Sequence, residues 1–206
     1  MLTVYGCPKT RSARVVWALE EAGAEYAYHK VDLFTGAGRQ PDYLALNPAG
    51  KVPALVDGTL TLTESAAICT YIGDRFPASG LTPQGDIAAR ACYNQWCYFA
   101  LSELEQPLWT LAKHRFALPE KRRVPAVLET AQWEFSVAAR ILALGLGERE
   151  FISGDHFSAA DILIAHTLAW AQAFALPLGH DNLDAYAARL LARPAFVRAQ
   201  ARELAG

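Results

Sequence analysis

The chain has 206 residues, a hydrophobic fraction of 52% and a formal net charge of −2. That length accommodates one large domain or two small ones, and the charge gives no electrostatic case for binding nucleic acid or an acidic membrane surface. No run of about 18 apolar residues occurs, so the sequence predicts no transmembrane span.

The first 77 residues alternate between predicted strands and helices. Strands are expected at residues 2–5, 26–31, 52–56 and 59–63, and Asp57-Gly58 is a hairpin-turn signal between the last two. Helices are expected at residues 11–22, 41–46 and 65–75, each with apolar spacing or a boundary residue that favours a helix. The order β-α-β-α-β-β-α is typical of a thioredoxin-like domain.

The rest of the chain is predicted to be helical. Residues 78–85 carry proline and small residues and are expected to link two domains. Helices follow at residues 86–111, 119–146, 158–175, 182–192 and 194–204, with Pro107 expected to kink or end the first, and Gly145 and Gly147 to close the second. The predicted fold class is α/β plus all-α: a thioredoxin-like domain at residues 1–77, then an all-helical domain at residues 86–206.

A capping pattern precedes the most apolar helix. Ser158 is expected to cap the first amides, and Asp161 to reach back to the backbone of Ser158. An acid beside a buried helix could be mistaken for a catalytic group. The capping pattern favours a structural role for Asp161.

Cysteine spacing and the N-terminus bear on metal binding and location. The four cysteines lack a metal-ligand spacing, so we expect no metal. Residues 1–5 have neither the basic region nor the apolar region of a signal peptide. The expected location is the cytoplasm, where thiols stay reduced.

Two short motifs carry the functional information. The first is Asn47-Pro48-Ala49-Gly50-Lys51-Val52-Pro53-Ala54-Leu55, and the second is Leu62-Thr63-Glu64-Ser65-Ala66-Ala67-Ile68. Pro53 marks a strand entrance, which can leave the backbone of Val52 unpaired and available to an extended peptide. Ser65 opens a helix whose free N–H groups favour a carboxylate. Together they predict a site for a peptide-like ligand with an anionic end.

These two motifs, at this spacing, resemble the glutathione site of the cytosolic glutathione S-transferases. The resemblance extends along nearly the whole chain and is to bacterial, theta-, delta- and phi-like members that use a serine or threonine. It implies an enzyme that conjugates glutathione, as co-substrate, to small hydrophobic electrophiles, and it implies a homodimer. The electrophile would lie between the domains.

The resemblance implies a role for each glutathione-binding position. The backbone of Val52 would pair with the cysteinyl part of glutathione, and Pro53 would be the cis-proline that holds that backbone. Glu64 and Ser65 would take the γ-glutamyl end. Residues near the glycyl carboxylate would be Lys51 and, less directly, Arg39 and Gln40.

Three side chains between the first strand and the first helix could act on sulfur: Cys7, Thr10 and Ser12. Thr10 matches the serine whose hydroxyl donates a hydrogen bond to the glutathione sulfur in the theta- and delta-like classes, and it is the first candidate. Ser12 is a second hydroxyl in the same turn. A plain helix cap at either residue is the structural alternative.

Cys7 opens a different chemistry. Cys7-Pro8-Lys9-Thr10 resembles the active-site turn of glutaredoxins, which implies a glutathione-dependent thiol–disulfide oxidoreductase. In the cysteine-using transferase classes, however, the reactive cysteine would fall near Lys9, two residues further on. A third alternative is a glutathione-binding protein that has lost turnover.

Overall fold

The computed structural model describes residues 1–205. These residues form two compact units, one made of residues 1–85 together with the described residues from 191 onward, and the other of residues 86–190. The fold class confirms the prediction of an N-terminal thioredoxin-like arrangement followed by helices. No helix within residues 1–205 is long and apolar enough to cross a membrane.

The first unit is built on a four-stranded mixed sheet in the order β2-β1-β3-β4. Its strands are β1 Leu2–Gly6, β2 Tyr26–Lys30, β3 Ala54–Asp57 and β4 Leu60–Thr63. Strand β1 runs parallel to β2 and antiparallel to β3, and β3 and β4 form the predicted hairpin. The helices of this unit are α1 Ser12–Glu21, α2 Pro41–Leu46, α3 Ser65–Arg75 and α9 Pro194–Ala205.

The last helix belongs to the first unit, whereas the sequence had assigned it to the domain at residues 86–206. Two ion pairs hold α9 and the residue directly before it to α1. Arg193 reaches Glu21 through two hydrogen bonds of 2.6 and 2.9 Å, and Arg198 reaches Glu20 at 2.9 Å. These pairings join residues more than 170 positions apart, so local sequence patterns could not reveal them.

The second unit is helical. It contains α4 Ile87–Phe99, α5 Glu105–Ala112, α6 Val127–Leu146, α7 Ala159–Ala173 and α8 Asp181–Leu191. Pro107 does not end its helix: it lies in the first turn of α5, three residues after the end of a π-helical turn at Ala100–Leu104. A π turn shifts the hydrogen-bond register of the helix. The helix can therefore continue although Pro107 has no backbone N–H to donate.

Two further boundaries in this unit differ from the sequence prediction. Helix α6 begins at Val127 rather than at residue 119, because Pro125 disfavours helical geometry in the residue before it. Gly145 does not close α6. It lies inside the helix, where a Cβ atom would come within 2.1 Å of the Trp96 ring, so glycine permits that close packing. Gly147 does end the helix.

The predicted capping box of α7 is present. The Asp161 carboxylate accepts hydrogen bonds from the backbone N–H groups of Ser158 and Ile152, both at 2.8 Å, and from the Tyr186 hydroxyl at 2.6 Å. Burial raises the pKa of Asp161, and the hydrogen bonds oppose that rise. Every bond ties the carboxylate to its own structural unit, which accords with a folding role.

Candidate functional site

The sheet register brings the two sequence motifs and the first loop to the same edge. Tyr5 at the end of β1 pairs with Ala54 at the start of β3, and Ala54 pairs with Thr63 at the end of β4. The next residues beyond these positions are the Gly6–Cys7 turn, Pro53 and Glu64. Segments separated by more than 40 residues in sequence therefore lie side by side.

Ser12 and Thr10 organise the loop after β1. The Ser12 hydroxyl accepts from the Cys7 N–H at 3.0 Å and lies 2.7 Å from the Cys7 carbonyl oxygen. The Thr10 hydroxyl is also 2.7 Å from that carbonyl and 2.9 Å from the Ser12 hydroxyl. Gly6 is required beneath them, because a Cβ there would lie 2.8 Å from the Ser12 Cβ and from the Tyr28 ring.

The three candidates for acting on sulfur differ in exposure. Ser12 is fully buried and Cys7 is 4% exposed, whereas Thr10 is half-buried. Lys9, between them, is exposed and adopts a left-handed backbone with φ of 63°. Of the three side chains, Thr10 is the one with the greatest access to solvent and hence to a ligand.

The segment before Pro53 is held by side chains that the sequence reasoning did not assign. Asn47 donates to the Lys51 carbonyl at 2.7 Å and accepts from the Ala49 N–H at 3.1 Å. The Tyr43 hydroxyl donates to the same Lys51 carbonyl at 2.5 Å, and burial raises the pKa of Tyr43 to about 12. Asn47 is the first residue of the motif, and an Asn-Pro pair that starts a turn is a usable sequence signal.

The candidate cationic and polar groups nearby are exposed. The Lys51 side chain, Arg39 and Gln40 all face solvent, and Gln40 stands at the start of α2. The Arg39 guanidinium donates to the Ala49 carbonyl at 3.3 Å, which ties it to the same loop. Arg39 and Lys51 thus contribute positive charge to one segment of the first unit.

The Val52–Pro53 peptide bond is cis, as the resemblance implies. Strand β3 begins only at Ala54, so Val52 precedes the ladder. Within residues 1–205 the backbone N–H and C=O of Val52 form no hydrogen bond. An unpaired donor and acceptor at a strand entrance can bind an extended backbone.

Glu64 has an unusual backbone at the start of α3. Its φ of 68° and ψ of 108° lie outside the regions that non-glycine residues favour, and its side chain is exposed and does not cap the helix. Such strain costs on the order of 1–3 kcal/mol and occurs most often at functional sites. The strained residue leaves the first amides of α3 without a side-chain cap.

Ser65 is buried, and a residue of α1 lies behind it. The Arg14 guanidinium, which is fully buried, donates to the Ser65 hydroxyl oxygen at 3.2 Å. Because Arg14 occupies a lone pair of that oxygen, the hydroxyl proton points elsewhere. Arg14 is not among the site residues predicted from the sequence, and nothing in the local sequence pattern indicated that its side chain would be buried.

Glu203 is a further residue beside the site that the sequence did not reveal. It lies on α9, is 3% exposed, and its carboxyl oxygen is 2.7 Å from the Ser12 hydroxyl. Burial raises the pKa of Glu203 to about 7, although Ser12 and Tyr28 act to lower it. A carboxyl group that titrates near neutrality therefore touches the loop that carries Thr10.

The residues between 1 and 205 contain no group of three or more His, Cys, Asp or Glu side chains that could hold a metal ion. All four cysteines are free thiols, three of them buried. The polar and nucleophilic groups at this site include the hydroxyls of Thr10, Ser12 and Ser65, the free thiol of Cys7 and the exposed carboxylate of Glu64.

Comparisons with known proteins agree with this geometry. The family described as glutathione S-transferase, N-terminal domain, matches residues 1–74, and the corresponding C-terminal domain family matches residues 104–194. Glutathione S-transferase 3 of Zea mays is 31% identical over 204 residues, which cover 95% of this chain and 91% of that protein. The disulfide-bond oxidoreductase YfcG of Escherichia coli is 29% identical over 169 residues, covering 79% and 76%.

A solved structure extends the comparison to a ligand complex. A glutathione transferase family member from Pseudomonas fluorescens, with two glutathione bound, superposes with a TM-score of 0.84 at 28% identity and covers 97% of this chain and 92% of that one. Both family matches together span most of the chain. The chain therefore belongs to the glutathione S-transferase family, and it is a transferase with glutathione as its co-substrate.

Proposed function

We propose that this protein conjugates glutathione to small hydrophobic electrophiles, with Thr10 as the residue that acts on sulfur. The observation that best supports Thr10 is its position: a half-buried hydroxyl beside the sheet edge that also carries the cis-proline and the start of α3. A free thiol has a pKa of about 8.5, so a hydrogen bond that favours the thiolate raises its population at neutral pH.

In this proposal Thr10 donates its hydroxyl hydrogen to the thiolate and removes no proton itself. The thiol proton passes to solvent, the sulfur forms a bond to the electrophilic carbon, and the leaving group departs with its electron pair. Stabilising the developing charge with one positioned donor is a transition-state effect. Thr10 is suited to it because its oxygen already accepts the Ser12 N–H at 3.2 Å, which holds it in place.

Glutathione binding is proposed for the residues along the same edge. The unpaired backbone of Val52 would pair with the cysteinyl part, with Pro53 setting its direction. Glu64 would hold the γ-glutamyl ammonium, while Ser65 and the first amides of α3 would hold the carboxylate. The exposed cations Lys51 and Arg39, with Gln40, would serve the glycyl carboxylate.

Thiol transfer by Cys7 is a second candidate function. The name of the Escherichia coli relative, a disulfide-bond oxidoreductase, favours testing it. The burial of the Cys7 side chain, 4% exposed, weighs against an attacking thiolate at that position.

The proposal includes a homodimer and a cytoplasmic location. Large apolar side chains exposed on α4 and α6 support a contact with a second copy, because homodimer interfaces are more apolar than the remaining surface. They are Ile87, Tyr98, Trp133 and Leu144. A cytoplasmic location is typical of the family and would supply reduced glutathione.

Two assays on the purified protein test the function. Turnover of glutathione with a generic aromatic halide is expected, together with retention on a glutathione-affinity resin. Retention without turnover would instead identify a binding protein. A mixed-disulfide substrate that is reduced faster than the halide is conjugated would move the protein to the oxidoreductase function.

A further inference from the structure

The Ser12 hydroxyl lies at the centre of a buried hydrogen-bond cluster. Its oxygen is 3.0 Å from the Cys7 nitrogen, 2.7 Å from the Cys7 carbonyl oxygen, 2.9 Å from the Thr10 hydroxyl and 2.7 Å from the Glu203 carboxyl. Each hydroxyl carries a single proton. The Ser12 proton can therefore go to the Cys7 carbonyl or to Glu203, but not to both.

The state of Glu203 decides between these arrangements. An ionised carboxylate can only accept, so it takes the Ser12 proton, and the Cys7 carbonyl then depends on the Thr10 proton at 2.7 Å. A neutral carboxyl can donate its own proton to Ser12. The Ser12 proton then turns to the Cys7 carbonyl, and the Thr10 proton is released for another acceptor.

We propose that Glu203 is a positioning residue for glutathione activation: its protonation state selects whether the Thr10 hydroxyl donates to the Cys7 carbonyl or to the glutathione sulfur. This inference rests on the proposed role of Thr10. The neutral form of Glu203 is the form that supports catalysis, and ionised Glu203 restrains Thr10.

The surroundings allow Glu203 to exist in both forms. Burial raises its pKa to about 7, and no cation within residues 1–205 pairs with it. The titratable groups that face it from other elements are Tyr26 and Tyr28 on β2, and the Cys7 thiol in the loop after β1 in turn interacts with Tyr28. On α1, Glu20 is paired with Arg198 of α9, and Glu21 is paired with Arg193, the residue directly before α9.

Two neighbours complete this environment. Arg202, the adjacent residue on α9, is directed to Tyr26, whose ring centroid lies 5.5 Å from the guanidinium carbon. The Tyr28 hydroxyl is buried and forms no hydrogen bond of ordinary geometry within the described chain. Its proximity lowers the pKa of Glu203 without cancelling the effect of burial.

The expected pH dependence is opposite to that of thiol ionisation. As pH rises through about 7, Glu203 ionises, Thr10 is recruited to the Cys7 carbonyl and the bound thiolate loses its donor. Conjugation should therefore rise with pH less steeply than the ionisation of a thiol in a fixed environment would require. A residue that only supports the fold would not change the slope of the conjugation rate against pH, so a reduced slope is specific to the proposed role of Glu203.

The variant Glu203→Gln isolates the effect. Its amide can donate to Ser12 and cannot ionise, so it maintains the arrangement of the neutral acid at every pH. At about pH 8 we expect kcat for the aromatic halide to increase about threefold to tenfold, the effect of one hydrogen bond, with little change at about pH 6. Arg198→Met, which removes a contact of the same helix to Glu20, is the matched control and should leave the shape of the profile unchanged.

The Thr10→Ala variant distinguishes an effect of Glu203 that passes through the Thr10 hydroxyl from a direct effect of the Glu203 charge on the sulfur. The readout is the pKa of the enzyme-bound thiol, followed by the ultraviolet absorbance of the thiolate. If the signal passes through Thr10, adding Glu203→Gln to Thr10→Ala changes nothing, whereas a direct charge effect would persist and overturn the inference. The single variants Thr10→Ala and Glu203→Gln, each folded, distinguish a failure of the proposed role of Thr10 from a failure of the role of Glu203.

If Thr10→Ala leaves the bound thiol pKa unchanged, the proposed role of Thr10 fails. If Thr10→Ala raises that pKa while Glu203→Gln leaves both titration and pH profile as in the wild type, only the role of Glu203 fails. Circular dichroism and thermal unfolding of each variant establish that the loop is examined in a folded protein.

Discussion

The Arg14 guanidinium, fully buried in α1, donates a hydrogen bond of 3.2 Å to the hydroxyl of Ser65 at the first position of α3. This contact joins two helices through the residue that is proposed to hold the γ-glutamyl carboxylate. A positive charge behind the hydroxyl oxygen directs the hydroxyl proton away from Arg14 and favours an anionic acceptor. Ser65 is therefore prepared to donate before any ligand arrives.

Replacing Ser65 with alanine should weaken glutathione binding more than it weakens the fold. Loss of a charge-assisted hydrogen bond is expected to cost roughly 1.5–3 kcal/mol of binding free energy, measured by calorimetry. Ser79→Ala, which removes a hydroxyl that accepts from the Leu81 N–H, is the control and should leave the affinity unchanged. A folded Ser65→Ala protein with wild-type affinity would contradict the assignment.

Thr10 and Cys7 can be separated by single substitutions. Thr10→Ala should raise the pKa of bound glutathione and lower conjugation at neutral pH by about ten- to a thousandfold, because the thiolate loses its positioned donor. Glutathione affinity should change little, and Thr10→Ser should restore activity because it keeps the hydroxyl. Cys7→Ser should leave conjugation nearly intact. The reverse pattern, with activity lost only in Cys7→Ser, would assign the chemistry to thiol exchange.

Glu203 should make stability depend on pH in a defined window. Its pKa is about 7 in the folded protein and about 4.5 in the unfolded chain, so the unfolded state loses its proton first as pH rises. The contribution of the neutral carboxyl is fully present below about pH 4.5 and is lost as pH rises through about 7. The free energy of unfolding of Glu203→Gln should therefore exceed that of the wild type by roughly 3 kcal/mol at pH 8, and the difference should shrink on acidification. A difference independent of pH, in chemical denaturation, would argue against an ionising Glu203.

The capping box of α7 should affect stability and leave glutathione affinity unchanged. Ser158→Ala should lower the free energy of unfolding by about 0.5–2 kcal/mol, since it removes an N-cap. Asp161→Ala should cost more, because it also leaves buried donors from Ile152 and Tyr186 without their acceptor. Urea denaturation measures the free energy of unfolding of both variants, and calorimetry tests whether their glutathione affinity is unchanged. A specific loss of affinity in a folded Ser158→Ala protein would revise the structural role.

The protein should sediment as a homodimer at micromolar concentration. We expect the N-terminal unit of one copy to contact the helices around α4 of its partner, where Ile87 is 89% and Tyr98 67% exposed. Ile87→Glu or Tyr98→Glu should shift the equilibrium toward monomer. A wild-type monomer across the concentration range of sedimentation equilibrium would rule out this assembly.

Local signals were sufficient to predict much of the fold. The hairpin at Asp57-Gly58, the strand entrance at Pro53 and the capping pattern at Ser158 all depend on residues a few positions apart, and the structure has each of them. Pro107 did not end its helix, and the expected end of α6 at Gly145 was wrong, because the outcome at both positions depends on neighbouring residues. A π turn accommodates Pro107, and the Trp96 ring packs against Gly145.

The sequence by itself determined the fold class and both glutathione motifs, because these depend on residue type and short-range spacing. Only the tertiary structure decided which charged residues lie beneath the site. In sequence, Glu203 looks no different from its neighbours Arg198 and Arg202, which are exposed. It is buried because it shares a helix face with Ala195 and Ala199, eight and four residues earlier, and α9 packs that face on α1. The contact with Ser12, 191 residues away, exists only once both helices have packed.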